Sequence, residues 1–214
     1  MTQALFGLFG VIVGAFLTIF RDWVADRNVR RRNFRFAAVS IIHILDKYAQ
    51  ECAEVVGDDG TYQGRPAHRD SDGFEHHAAQ VKIPPPPCFP DDIDWTSIDV
   101  DLMYRIFSLD NLINDTNRYI EYAGEQASPP DYYEYFEARW EGYADLGLMA
   151  LGLAEEMRAA FRLPKINFSL ANPDWNQERF FRDKKSEIET RRKRDRLDSQ
   201  SDLIDMNANT ERKQ

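Results

Sequence analysis

The chain has 214 residues, a formal net charge of −9, 10 prolines and two cysteines. At ~100–200 residues per domain this is one domain, or one domain with attachments. The composition excludes a collagen, a disulfide scaffold and a fully disordered chain, and Cys52 and Cys88 are too few for an all-thiolate structural zinc site.

Residues 4–20 carry no charged side chain, and eleven of these seventeen are Leu, Ile, Val or Phe. Each contributes about −0.3 to −0.6 kcal/mol near the centre of a bilayer, roughly −5 kcal/mol together. As a helix, the uncharged stretch 1–20 is about 30 Å long, the thickness of a hydrocarbon core. The segment 1–24 is therefore expected to be a single transmembrane anchor. Trp23 falls where an interfacial aromatic would. A cleaved signal peptide fits less well, because there is no positive n-region and no A-x-A site before Arg21. No Lys or Arg precedes the span, whereas Arg21, Arg27, Arg30, Arg31, Arg32 and Arg35 follow it. The positive-inside rule then puts the N-terminus outside and the C-terminal domain in the cytoplasm. Gly7, Gly10 and Gly14 offer a small face for association of two copies within the bilayer. Arg21 and Arg27 are near enough to touch anionic lipid. Arg30–Arg32 lie beyond the ~8 Å Debye length if the helix continues straight.

No Pro or Gly occurs from Ala15 to Val56, so one helix is expected to run from the bilayer through a stalk over 25–56. Ala38, Ile41, Leu45, Tyr48, Cys52 and Val55 recur at three- and four-residue steps, forming one apolar seam. Residues 57–94 are a long connection holding four consecutive prolines, Pro84 to Pro87. Extended polyproline can dock on a partner, but Cys88, Phe89 and Ile93 beside it favour a strap packed along the bundle. Thr96 and Asp99 resemble a capping box opening the second helix near Asp94–Ser97. Leu102, Ile106, Leu109, Ile113, Thr116, Ile120 and Ala123 form its seam. Ser128-Pro129-Pro130-Asp131 reads as the start of a third helix. Its seam runs Phe136, Trp140, Tyr143, Gly147, Ala150, Ala154, Met157 and Phe161, and Leu163-Pro164 stops it.

These features predict an all-α fold, with the N-terminal transmembrane helix continuing into an antiparallel three-helix bundle. The second and third bundle helices occupy 95–163. The first can pair in either direction because its 38-residue link can span the bundle, and the antiparallel arrangement is expected. Asn172-Pro173-Asp174 is expected to cap an additional charged helix within 164–198, followed by a disordered tail, 199–214. Gln80–Ile83 is the longest strand-like run.

Residues 57–173 hold nine basic and 21 acidic side chains, a net −12. Binding to a duplex needs clustered positive charge, so nucleic acid is not an expected partner. Arg191, Arg192, Lys193 and Arg194 with Arg196 are the dense basic cluster outside the stalk. They read as a solvated helix face, a contact for a partner, or an intramolecular match for the acidic bundle.

Candidate chemistry is sparse. His68, His76 and His77 share the long loop with Asp70, Asp72 and Glu75, residue types that suit zinc, but no recognised ligand spacing is present and no metal or cofactor is expected. There is no G-x-S-x-G, no phosphate loop and no helical Glu-x-x-His pair. Cys52, on a seam, reads as a small hydrophobe. Asp110, Asn114 and Asn117 share a helical face and could form a polar network or line a polar pocket. Tyr132 and Tyr135, in a dense aromatic stretch, are candidate partner contacts, or they pack on the strap. The leading expectation is a non-enzymatic, single-pass, membrane-anchored helical scaffold, sensor or recruitment module. Its partners would be the lipid bilayer, a second copy through the transmembrane helix, and a protein yet to be identified. The alternatives are a homo-oligomeric membrane effector or pore built on the glycine-containing helix, and an enzyme or ligand-binding protein using the long loop or the Asp110/Asn114 face.

Overall fold

The computed structural model describes residues 21, 35–69, 71, 73–164 and 174–211, with side chains through residue 200. It is mostly helical, with four helices and a few short strands. Helix α1 covers 35–57. Two small hairpins follow, β1 (Thr61–Tyr62) with β2 (Arg65–Pro66) and β3 (His68–Arg69) with β4 (Glu75–His76). A single 3-10 turn, Trp95–Ser97, precedes α2 (Val100–Gln126), α3 (Tyr133–Phe161) and α4 (Gln177–Glu211).

Among the described residues no helix is long and apolar enough to cross a membrane. The expected span over 4–20, with Gly7, Gly10 and Gly14, lies outside the described residues, as does Arg27. Arg21 is exposed.

The apolar seams are the core. Ala38, Ile41, Leu45, Tyr48, Cys52 and Val55 of α1 are all buried, as are Leu102, Ile106, Leu109, Ile113, Ile120 and Ala123 of α2. Fully burying one such Leu or Ile stabilises the fold by about 1.5–3 kcal/mol. Helix α3 goes further. Besides Phe136, Tyr143, Ala150, Ala154 and Met157 it buries Ala138, Ala144, Leu146 and Leu153. Apolar residues around much of a helix mean neighbours on several sides, and α3 is the central element. Side-chain pairs give the directions. Arg105 meets Glu156 and Asn117 meets Tyr143, so α2 and α3 are antiparallel. Asp46 meets Arg158 and Asp58 meets Arg139, so α1 is also antiparallel to α3. Lys185 meets Asp145 and Arg192 meets Glu137, so α4 is too. The antiparallel expectation for α1 therefore holds against α3. Against α2 it does not, because both run opposite to α3 and the long connection returns the chain along the bundle.

Several boundaries differ from expectation for local reasons. Helix α2 starts at Val100, where the Asp99 carboxylate accepts from the amides of Asp101 and Leu102 at 3.0 and 3.3 Å. Thr96 does not complete a capping box. It donates instead to Asp94, which caps the 3-10 turn. Helix α3 starts after Tyr132, which adopts φ +49° with no side-chain cap, in place of Ser128. The described start of α4 is capped by Asn176, which accepts from Arg179 N at 2.8 Å. Helix α4 continues to Glu211, through most of the stretch 199–214 expected to be a disordered tail. No Gly or Pro interrupts 177–211, so nothing in the backbone chemistry stops it.

The hairpins were not anticipated. Gln63 and Gly64 have φ of 52° and 74°, the pair of positive values that a tight two-residue hairpin turn requires. The strap packs through Phe89, Ile93 and Ile98, and Trp95 bridges Phe89 and Phe107 at centroid distances of 5.5 and 4.6 Å. Cys88, expected to pack, is exposed.

Gly60, at the exit from α1, has φ +76°, and a Cβ there would collide with the Phe136 ring. Gly60→Val is expected to cost about 2–4 kcal/mol, from backbone strain plus overpacking. Gly57→Ala, with open space around it, should stay within ~0.5 kcal/mol of wild type. Urea midpoints of the two variants check this. Equal midpoints would show that the Gly60 turn does not constrain the fold.

Candidate functional site

The C-terminal end of α1, the 76–81 segment and the N-terminal half of α3 meet around two charged side chains. Asp58 and Arg139 are each 2% exposed, with Oδ2 and Nη2 3.2 Å apart. Asp58 Oδ2 also accepts from the amides of Gln80 and Val81, both at 2.9 Å, and Oδ1 accepts from Gly60 N at 3.0 Å. Arg139 donates further to Val81 O (2.8 Å) and to the Tyr135 hydroxyl (3.2 Å). Trp140 Nε1 donates to Asp58 O at 2.7 Å. Charges this deep persist only when paired and hydrogen-bonded, and here the pairing binds a loop to two helices. A second buried pair, Asp46 with Arg158, joins the other halves of α1 and α3. Burial holds the Asp46 carboxyl above its ordinary range despite the hydrogen bond from Arg158.

Above the Asp58–Arg139 pair lies an open cavity of about 540 Å³. The β3–β4 hairpin supplies His68 and His76, which face one another in register with ring centroids 6.4 Å apart. His77 follows, edge-on to Phe136 at 6.4 Å. The segment is stitched to its surroundings by His77 N donating to Pro130 O (2.9 Å) and Ala78 N to Gly60 O (3.0 Å). The opposite wall is Tyr132, Tyr135 and Phe136 at the start of α3, with Gly124 of α2.

A third feature is the contact of α3 with α4. Arg192 donates to Glu137 and to both carboxylate oxygens of Glu141 at 2.7–2.8 Å. These bonds hold the Arg192 guanidinium above its ordinary range. Lys185 reaches Asp145. Arg191 sits 3.4 Å over the Tyr133 ring and Lys184 4.7 Å over Trp140, geometry that suits cation–π attraction.

No protein-family model, curated protein or solved structure matches this chain.

Of the anticipated contact residues, Arg191 and Arg192 face α3, whereas Lys193 and Arg194 are exposed. The acidic face of α3 draws in Arg192, the intramolecular match foreseen as one option, while Arg191 stays exposed and lies over the Tyr133 ring. Tyr132 and Tyr135 are half-buried against the loop instead of standing on an open surface. In the Asp110/Asn114/Asn117 set, only Asn117 is engaged, accepting from Tyr143 at 2.8 Å, and the other two are exposed. The set is no buried network, because Asp110 and Asn114 lie on the side of α2 turned away from α3. Cys52 is buried, and burial pushes its thiol well above the ordinary range, so it packs as a hydrophobe. Among the described residues no group of three or more His, Cys, Asp or Glu side chains is placed to hold a metal ion. Asp70 and Asp72 lie outside the described residues.

Two features escaped the sequence reading. One is the buried pairing of Asp58 and Asp46 with α3 arginines. Its only signal is that Arg139 and Arg158 stand beside the apolar seam of α3, Arg139 between Phe136 and Tyr143 and Arg158 next to Met157. The other is the outer ridge of α2, where Val100, Tyr104, Phe107, Tyr119 and Tyr122 are between 48% and 71% exposed. Its signal is the spacing Val100, Tyr104, Phe107, one helical face opposite the buried seam.

Proposed function

We propose that this chain is a non-enzymatic recruitment module, held at a membrane by residues 4–20 and presenting a helical bundle to a protein partner. The observation that carries the reading is the outer ridge of α2. Tyr and Phe make large, stiff contacts and are enriched where partners bind. Tyr104 and Phe107 at one end and Tyr119 and Tyr122 at the other leave Asn111 and Asp115 between them, an apolar surface with a polar centre. The membrane part is supported by the seventeen-residue uncharged run and the arginines after it, with the bundle on the cytoplasmic side. Gly7, Gly10 and Gly14 would let two copies associate in the bilayer, raising the local concentration of the ridge.

Site-specific photo-crosslinking in the native membrane tests this. A benzophenone side chain at Tyr104, Phe107 or Tyr122 is expected to give one discrete adduct heavier than a self-dimer. The same group at Glu189, on the exposed side of α4, should not. Tyr104→Lys with Phe107→Lys should abolish the adduct while helicity and sedimentation with membranes persist. Adducts of equal strength from Glu189, or recovery of the protein in the soluble fraction, would reject the reading.

A further inference from the structure

The domain from 57 to 173 is strongly acidic, yet the cavity at the end of the bundle is lined by three imidazoles and, among the described residues, by no carboxylate. Among the described residues, the Asp59 and Glu75 carboxylates beside it are already engaged. Asp59 accepts from Thr61 N and Oγ1 at 2.9 and 2.7 Å, which holds its carboxyl below the ordinary range. Glu75 is paired with Arg69. The remaining wall is aromatic: Phe136, with the rings of Tyr132 and Tyr135.

The direction of one hydrogen bond makes the site more specific. Arg139 can only donate, so in its 3.2 Å contact with Tyr135 the hydroxyl oxygen is the acceptor. The Tyr135 proton is then left for another acceptor, and Tyr135 borders the cavity. The buried guanidinium behind it, itself anchored by Asp58 and Val81 O, fixes where that hydroxyl sits. Tyr132 and His76 form a second polar pair, with Oη and Nδ1 3.4 Å apart. Hydrogen-bond donors and imidazoles on one side, with flat apolar rings on the other, complement an anion carried on a planar apolar body.

We propose that this cavity binds a small aromatic carboxylate. Its ring would lie against Tyr132, with its carboxylate accepting from the Tyr135 hydroxyl and the His68 imidazole. The close approach of the helices is part of the site, since a Cβ at Gly124 would come within 3.1 Å of the Tyr135 ring, tight enough that the ring would have to give by a few tenths of an ångström. The proposal stands on the cavity alone and needs neither membrane attachment nor the α2 ridge.

The test uses the full chain in lipid nanodiscs. Indole-3-carboxylate is the probe and indole-3-carboxamide its neutral isostere. The readout is the NMR resonances of the histidine Cε1–H and tyrosine ring protons. The carboxylate is expected to shift the His68, His76 and His77 resonances saturably while His43 stays still. The carboxamide should bind at least about tenfold more weakly, the loss associated with a charge-assisted hydrogen bond. Tyr135→Phe is expected to weaken carboxylate binding about tenfold. His68→Ala, an exposed hairpin change that leaves the core untouched, should also weaken it. Equal binding of the two probes would overturn the proposal. So would shifts that do not saturate, or wild-type affinity in both variants.

Discussion

Asp58→Ala is expected to destabilise the protein by about 3–5 kcal/mol, the usual cost of breaking a buried ion pair by removing one partner. The loss would leave Arg139 charged, 2% exposed, and holding only Val81 O and the Tyr135 hydroxyl. It would also strip the acceptor from three amides, those of Gly60, Gln80 and Val81. Arg139→Met should cost less, because Asp58 keeps those three amide donors and methionine fills much of the vacated volume. Combining the two should cost less than the sum of the single changes, since the double variant leaves no unpaired buried charge. Urea unfolding followed by far-ultraviolet circular dichroism measures all three. Additive effects, or a cost for Asp58→Ala below 1 kcal/mol, would show that the pair does not hold the loop to α3.

Phe181→Ala is expected to release α4 from the bundle. Among the described side chains of α4, only Phe181 and Ile188 are buried. The Phe181 ring occupies the space that the missing side chain of Gly147 leaves on α3, where a Cβ would collide with it. Phe→Ala at a buried site costs about 3–5 kcal/mol. The ion pairs along the same contact are partly exposed, with Arg192 at 34% and its partners Glu137 and Glu141 at 15% and 30%. Discounted for solvent screening, each is worth about 0.2–1 kcal/mol, too little to hold the helix once the aromatic anchor is gone. Hydrogen exchange should show the amides of 177–192 losing protection while α2 and the first half of α1 keep theirs. Arg192→Ala should have a smaller effect. Unchanged protection in Phe181→Ala would mean that the charges, not the ring, dock α4.

The contrast between these two sites explains how legible each part of the molecule is. The α1 and α2 seams follow from local periodicity: Ile41, Leu45 and Tyr48 must share a face in any helix of that sequence. Helix ends are less legible, because several side chains compete for the same amides. Asp94, Thr96 and Asp99 all lie within reach of the start of α2, and the closing of the 3-10 turn gave the cap to Asp99. The dense aromatics at 132–143 were visible as a cluster, but not their division between the loop and α4.

Helix identity, the order of the elements, the apolar run at 4–20 and the acidic character of the central region are all properties of neighbours along the chain. They can be read from amino-acid spacing because helical geometry converts that spacing directly into faces. The choice of partners across the fold cannot be read this way. Asp58 and Arg139 are 81 positions apart, and Arg192 and Glu137 are 55 apart. Whether such charges end buried together or solvated apart depends on which faces the connections bring into contact. A solvated charge and a paired buried one look alike in the sequence, since the difference lies in the water excluded when α1, α3 and the strap close around them. The cavity has the same origin: His68, His76, Tyr132 and Tyr135 become one site only because the strap and the α2–α3 turn end at the same level of the bundle.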